Sequence, residues 1–192
     1  MPSWRNRTPG FDGPPWQRLV FALMPKPKQS LIEPTTVAAY VEAITRALQA
    51  RGADPDEVLR EIDVLRIHGN DPLVRITDST VNAIYARAVA LTGDEYFGLR
   101  VAEHIVPGTL HALGYALLAS ETLEDFCHRF VRYYGLVSQS AELRVLVEGQ
   151  TFRLEADPRN PDICVETQDV WAALVLRLMR MAYRADFCPR AL

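Results

Sequence analysis

The spacing of apolar residues along the chain predicts a body built mainly of amphipathic helices. Between residues 36 and 50, apolar side chains recur every three or four positions, which is the spacing of one helix face. Thr35 or Thr36 can accept the first free backbone N–H groups, so we expect a helix to begin there and to end at Gly52. Asp54-Pro55 predicts a shorter second helix, running as far as Ile62, because proline has no N–H to lose at the first helical position.

A third helix is predicted from about Ser79 to Leu91, with Asp78 as its cap. Its apolar residues again recur at helical spacing and predict an inward face. The preceding segment from Arg66 to Arg75 contains Gly-Asn-Asp-Pro, a cluster of turn-forming residues. We therefore expect a loop between the second and third helices.

The stretch from Leu91 to Leu136 carries the clearest sequence of helix starts and stops in the chain. Gly93 ends the preceding helix, and Asp94 can accept backbone N–H groups at the next helix start. Pro107 interrupts the pattern, and Thr122 begins another capped segment. The stretch therefore predicts three short, packed helices.

After residue 140 the apolar period changes from that of a helix to that of a strand. Two alternating runs, joined through residues 148–150, predict a hairpin, followed by a polar loop from Asp157 to Pro161. From about Cys164 a long helix is apolar over most of its circumference, including Met181, and is expected to be largely buried. The predicted fold is α+β and mainly helical, with helices packed on a small antiparallel sheet near residues 140–157 and a long buried C-terminal helix.

Residues 1–34 differ from the rest of the chain in composition. They hold seven of the thirteen prolines and a local charge of +3, against −6 for the remainder. Proline has no N–H to donate and restricts the backbone, so this segment is predicted to be a mobile tail. Residues 35–192 are predicted to form one domain, because 192 residues suffice for one sizeable core and are few for two.

Composition excludes several classes of function. A net charge of −3 argues against DNA binding by this chain alone, since contact with many phosphates requires clustered basic residues. Three cysteines without CxxC spacing favour a reducing compartment, and the sequence has neither a membrane-spanning apolar run nor a signal peptide. We therefore expect a cytoplasmic protein without membrane contact.

The sequence offers no motif for metal binding or catalysis. Its four histidines form no ligand spacing with one another or with a cysteine, and Cys127 and His128 point about 100° apart on a helix. Neither a GxSxG elbow nor a glycine-rich phosphate loop is present. We therefore expect neither an enzyme, nor a metal, nor a cofactor.

The candidate binding residues are amphipathic side chains on the predicted helices. His111 and Tyr115 lie four positions apart on one helix face, Arg132 and Tyr134 lie late on the following helix, and Trp171 lies on the long C-terminal helix. Such side chains can line a mostly apolar cavity and still offer a few directed hydrogen bonds. Packing in the core is the alternative for each of them.

Four segments carry a family resemblance: GDEYFGLRVAEH, PGTLHALGYALLAS, TLEDF and RFVRYYGL. They resemble the N-terminal effector region of AraC-type bacterial transcription regulators, in the group often labelled arabinose-binding-like. The resemblance implies a domain that senses a small metabolite, related to an amino acid or a sugar, and that forms a homodimer. It also implies that DNA is bound only through a C-terminal helix-turn-helix region, which we expect to be absent because the sequence ends before it.

Two other functions remain open from the sequence. The chain could be a free-standing helical module that binds another protein and has no small-molecule ligand. It could also be an enzyme or a cofactor-bearing sensor that uses Cys127, His111 or His104.

Overall fold

The structure is a computed structural model that describes the backbone of residues 19–23 and all atoms of residues 32–60, 62, 74–149 and 151–190. Its helices are α1 (Tyr40–Ala50), α2 (Pro55–Leu59), α3 (Asp78–Thr92), α4 (Phe97–His104), α5 (His111–Leu118), α6 (Leu123–Tyr133) and α7 (Val165–Ala182). Its strands are β1 (Leu19–Leu23), β2 (Thr35–Val37), β3 (Arg75–Thr77), β4 (Ala141–Glu148) and β5 (Thr151–Pro158). Two 3-10 turns, Pro107–Leu110 and Tyr134–Leu136, precede α5 and follow α6.

The helices share one apolar core. Its fully buried side chains come from nearly every helix and include Ile44, Leu48, Ile84, Tyr85, Phe97, Leu117, Phe126 and Phe130. Burial of such side chains removes apolar surface from water, which is the main favourable term in folding. The mainly helical α+β architecture predicted from the sequence is thereby confirmed.

Helix α7 packs closely against α4. A Cβ atom on Gly98 of α4 would lie 2.4 Å from the carbonyl oxygen of Glu166, so only glycine permits this approach. At the other end of α4, Arg177 donates hydrogen bonds to the carbonyl oxygens of Ala102 at 2.8 Å and Ile105 at 3.0 Å. These contacts satisfy carbonyl groups that the end of a helix leaves without an internal partner.

The hairpin predicted after residue 140 is confirmed and belongs to a three-stranded sheet. β4 and β5 pair antiparallel, with Val145 opposite Leu154, and β1 pairs parallel to β5 on its other side. Buried side chains of Leu143 and Leu154 lie on the same face. An isolated hairpin is marginally stable, and here the core behind that face supports it.

A second, two-stranded sheet brings distant parts of the chain together. β2 pairs antiparallel with β3, and Thr36 forms a further bridge with Ser138. Arg75 reinforces this junction, because its guanidinium donates to the carbonyl oxygens of Thr35 at 2.7 Å and Leu136 at 2.9 Å.

Several predicted helix boundaries are confirmed. The Asp54 carboxylate accepts from the N–H of Asp56, and the Thr122 hydroxyl accepts from the N–H of Asp125, both at 3.0 Å. Gly93 ends α3 in the left-handed conformation that glycine adopts most readily. The three short helices predicted within residues 91–136 are α4, α5 and α6.

Two predicted helix caps were wrong. Thr35 and Thr36 do not cap α1, because both pair with β3 in strand β2 and the helix begins only at Tyr40. Asp78 does not cap α3, since the Thr77 hydroxyl accepts the N–H of Thr80 instead. The residues Thr35 and Thr36, predicted at a helix start, and Arg75, predicted in a loop, instead form the backbone hydrogen bonds between β2 and β3.

Four smaller predictions, two about the sheets and two about helices, also differ from the structure. Arg75 lies in β3 and not in a loop, and β5 continues through Asp157 to Pro158 because β4 pairs with it that far. The second helix ends at Leu59, and the Met181 side chain is 52% exposed although the rest of the apolar face of α7 is largely buried.

The predicted tail is described only in part. Its Leu19–Leu23 segment forms strand β1 at the edge of the larger sheet. Residues 1–18 and 24–31 lie outside the described residues, so the predicted mobility of the tail stays a prediction.

Candidate functional site

Two small adjoining cavities lie where β2, the second 3-10 turn and α7 meet. The first has a volume of about 50 Å³ and the second about 30 Å³. Both are bordered by Tyr134, Ser140, Thr167 and Trp171. The first is also lined by Thr36, Tyr40, Val81, Leu110, Val137, Ser138, Val170 and Leu174. The second is also lined by Ala141, Ala156, Pro158, Ile163 and Gln168.

One wall of the first cavity is polar and consists of a row of buried hydroxyl groups. The hydroxyl oxygens of Thr36 and Ser138 are 2.9 Å apart, and that of Ser138 lies 3.0 Å from that of Ser140. Ser140 then lies 2.5 Å from the Oδ1 atom of Asp78. We call these four residues, in the order Thr36, Ser138, Ser140 and Asp78, the hydroxyl row.

The carboxylate sets the direction of every hydrogen bond in the hydroxyl row. Ser140 donates its single hydroxyl proton to Oδ1 of Asp78. Ser138 donates to Ser140, so Thr36 must be the donor to Ser138. Ser138 also accepts the backbone N–H of Ser140 at 3.2 Å, and the Thr36 hydroxyl lies 3.3 Å from that of Ser140. All three hydroxyl protons are thus used within the row, and the free lone pairs are mainly those of Thr36 and Ser140.

Asp78 lies in a strongly desolvated position at the first residue of α3. It is only 2% exposed, and this burial raises the pKa of its carboxyl group, while the hydrogen bond from Ser140 opposes the shift. The negative charge of Glu33 raises the pKa further. Oδ2 has no hydrogen-bond partner at bonding distance among the described residues, although Asn160 lies near enough to lower the pKa.

The rest of the lining is mostly aromatic and aliphatic. Tyr134 and Trp171, which line both cavities, pack against Phe130. The ring centroid of Phe130 lies 5.1 Å from that of Tyr134 and 6.4 Å from that of Trp171. Burial raises the pKa of Tyr134 to about 12, so its phenol is neutral at physiological pH. The Tyr40 hydroxyl is hydrogen-bonded to that of Tyr85, and burial raises the pKa of both groups.

The backbone beside the first cavity is strained at one residue. His111 directly follows the lining residue Leu110 and has φ 52° and ψ −139°, a combination that is costly for any residue with a Cβ. Its Nε2 atom is buried and makes no hydrogen bond within the described residues. The turn before His111 is also tightly packed on α5. A Cβ on Gly114 of α5 would lie 2.0 Å from the Pro107 carbonyl oxygen, so only glycine permits this contact.

The structure brings together only some of the residues predicted to line a pocket. Tyr134 and Trp171 line both cavities, and His111 is adjacent to a lining residue. Tyr115 is 64% exposed, and the exposed Arg132 places its guanidinium 5.3 Å from the ring centroid of Tyr133. Neither Tyr115 nor Arg132 is among the residues that line the cavities.

Sequence reasoning missed the hydroxyl row. One signal was available, because Ser138 and Ser140 are two positions apart at the start of an alternating segment, a spacing that places both side chains on one face. Thr36 and Asp78 had been interpreted as helix caps, and no local pattern places them beside residues more than 60 positions away.

The other predicted chemical groups are dispersed. Cys127 is 1% exposed beside Phe126, and burial raises the pKa of its thiol to about 12, which makes it unreactive. His104 borders an open groove of about 410 Å³, where Arg100 is paired with Asp94 and Glu103. In the described part of the chain, no three His, Cys, Asp or Glu residues are grouped to hold a metal ion. No helix in that part is both long and apolar enough to span a membrane.

Comparison with protein families gives one match. The model of the arabinose-binding domain of AraC transcription regulators, an N-terminal domain, matches residues 52–192. The matched residues include Asp78, Tyr134, Ser138, Ser140 and Trp171, and hence most of the cavity lining. A search of curated proteins gives no match to the chain.

Proposed function

Because the chain belongs to the family of arabinose-binding N-terminal domains of AraC transcription regulators, we propose that its two adjoining cavities form the binding site of a small effector. Members of this family are ligand-sensing domains of regulators, and the family is not one of enzymes. The proposed effector is a small metabolite related to an amino acid or a sugar. The observation that supports this site is the buried hydroxyl row, whose hydroxyl groups line the first cavity together with apolar side chains.

Such a combination of surfaces is typical of ligand sites. Burial of polar groups is costly, and the hydroxyl row places four of them side by side within the core. An apolar wall with a few directed polar groups binds the body of a small molecule and fixes its orientation. Tyr134 and Trp171 complete the site, because they contact both cavities and offer aromatic surface.

The cavities are small in this conformation. Ligand sites usually measure about 300–1,000 Å³, whereas the larger cavity here measures about 50 Å³. Effector binding therefore requires the shared wall of Tyr134 and Trp171, or the segment at Leu110, to move outward. A ligand that binds the enlarged form better than the closed form shifts the population toward it, and this shift is the proposed signal.

We further propose that the domain forms a homodimer and that effector binding controls a DNA-binding domain that is not among these 192 residues. Large apolar side chains that remain exposed, among them Tyr96 at 62%, Tyr115 at 64% and Leu136 at 70%, offer contact area for a second copy. Light scattering tests the dimer directly. A monomer at concentrations well above the micromolar range would contradict it.

The effector site is tested by thermal unfolding of the chain with a panel of amino acids, polyamines and sugars. A ligand that binds only the folded state stabilises it by about 2.7 kcal/mol at one hundred times its Kd. We expect a hit from the panel, and we expect Tyr134→Ala and Trp171→Ala to weaken its binding by at least about tenfold, since each removes a wall shared by both cavities.

Tyr115→Ala and Arg132→Ala are the matched controls, because both side chains are exposed and outside the cavity lining. Equal losses in these controls and in the cavity variants would place the site elsewhere. Absence of any hit, together with strong self-association, would favour the alternative of a protein-interaction module without a small-molecule ligand.

A further inference from the structure

The hydroxyl row presents acceptors, and not donors, to a ligand in the first cavity. Thr36, Ser138 and Ser140 each have one hydroxyl proton, and all three protons are directed along the row toward Asp78. Ser138 already accepts from Thr36 and from the Ser140 N–H, so the lone pairs that remain free are mainly those of Thr36 and Ser140. The complementary group on a ligand is therefore one rich in N–H or O–H donors.

The charges around the cavities indicate which charged group the ligand carries. The described residues that line them include no Arg, Lys or His. A ligand carboxylate would lose its hydration without gaining a counter-charge, which is strongly unfavourable. A ligand ammonium group, by contrast, would lie near the buried carboxyl of Asp78, whose hydrogen-bond partner Ser140 borders both cavities.

The geometry of α3 places Asp78 at this wall. Val81 lies three positions after Asp78, so the two share a helix face, and Val81 lines the first cavity. Asp78 is thus separated from the cavity by the Ser140 hydroxyl and not by a layer of apolar side chains. In the empty site, burial raises the pKa of the Asp78 carboxyl. A cation placed beside it would favour the ionised form.

From these observations we propose that the effector is a small primary amine with an apolar body and no carboxylate, its ammonium group bound by the hydroxyl row beside Asp78. The inference rests on the proposed effector site and specifies its ligand class. The apolar body would lie against Val170, Trp171 and Leu174, which line the same cavity.

A matched set of three probes tests the inference by calorimetric titration of the full chain. Isobutylamine, isobutanol and valine share one branched apolar body and differ in their polar groups. A charge-assisted hydrogen bond is stronger than a neutral one, so isobutylamine should bind on the order of tenfold more tightly than isobutanol. Valine should bind least tightly, because its carboxylate has no counter-charge at the site.

Substitution of the carboxylate provides the second readout. Asp78→Asn removes the negative charge and should abolish the preference for the amine over the alcohol. Ser140→Ala breaks the link between the cavity and the carboxylate and should also reduce the preference. Asp56→Asn is the matched control, because Asp56 is an exposed carboxylate on α2 and should leave the preference intact. If either cavity variant fails to fold, the ranking of the three probes on the unsubstituted chain still decides.

The outcomes separate this inference from the effector site itself. Valine or isobutanol binding as tightly as isobutylamine, or no binding by all three probes, would overturn the amine inference. The effector site would still stand if another compound bound and lost affinity in Tyr134→Ala and Trp171→Ala. A compound whose affinity is unaffected by these two substitutions would instead overturn the effector site.

Discussion

At Asp78, burial lowers the stability of the ionised form at the same position where we propose that the effector binds. Burial makes its ionised form costly in the folded protein, and this cost is not offset by a cationic partner among the causes of its pKa shift. Its hydrogen bond with Ser140 nevertheless organises the hydroxyl row. A buried acid of this kind is a frequent property of functional sites, where stability is given up for chemistry or binding.

The raised pKa of Asp78 predicts a specific dependence of stability on pH. The folded protein holds the proton more tightly than the unfolded chain, so the contribution of this group is fully stabilising below its ordinary pKa of 3.8 and is lost as pH rises through the folded pKa. Urea unfolding between pH 4 and pH 8 should therefore show a decrease in unfolding free energy with pH that is smaller in Asp78→Asn. The variant Asp56→Asn should keep the slope of the unsubstituted chain, and an unchanged slope in Asp78→Asn would contradict the prediction.

His111 offers a second prediction at the scale of one residue. His111→Gly and His111→Ala both remove the imidazole and its buried Nε2 atom, and they differ only in the Cβ that the positive φ of 52° disfavours. Strain of this kind costs about 1–3 kcal/mol, whereas glycine in a helix usually costs about 0.5–1 kcal/mol relative to alanine. We therefore expect the glycine variant to be the more stable of the two by about 1 kcal/mol in chemical unfolding.

The next residue supplies the control for this comparison. Ala112 is exposed within the same helix and has no positive φ, so Ala112→Gly should show the usual loss of stability. If the alanine variant at position 111 proved more stable than the glycine variant, the backbone at His111 would not be strained.

At the scale of secondary structure, the contact between α4 and α7 depends on one glycine. Gly98→Ala would place a Cβ 2.4 Å from the Glu166 carbonyl oxygen, and backbone atoms cannot rotate away as a side chain can. Overpacking of this kind costs about 1–3 kcal/mol. We expect a loss of that size in unfolding free energy.

Gly135→Ala is the matched control for the helix contact. A Cβ at Gly135 would meet no atom within 4 Å, and its backbone does not require a positive φ. Its stability should change by less than about 0.5 kcal/mol. Equal losses at both positions would show that the interhelical distance does not determine the effect.

The elements also show which structural features a single sequence can reveal. Helices α4, α5 and α6 were predictable because Gly93, Pro107 and Thr122 act through their own backbone and neighbours a few residues away. Strand β2 was missed because its partner β3 lies about 40 positions away, and three residues are too few to establish a period. Local pattern predicts elements whose stabilising contacts are local.

At the scale of the whole molecule, the same distinction applies to the candidate site. Tyr134 and Trp171 were identifiable as amphipathic side chains on apolar helices, and both line the cavities. The polar wall was not predictable, since Thr36, Ser138 and Asp78 come from three separate parts of the chain. They meet through the pairing of β2 with β3 and the bridge between Thr36 and Ser138. Tyr115 has the same chemistry as the lining residue Tyr134, and only the fold separates it from the cavities.

The bridge between Thr36 and Ser138 also determines when the sensing site forms during protein synthesis. The two hydroxyl groups are 102 positions apart in sequence, and Trp171 follows later still. At about 5–20 residues per second, roughly 5–20 s separate the synthesis of Thr36 from that of Ser138. The proposed binding cavity is therefore among the last features to form on the ribosome, and we expect a nascent chain that has not reached Trp171 to bind no effector there.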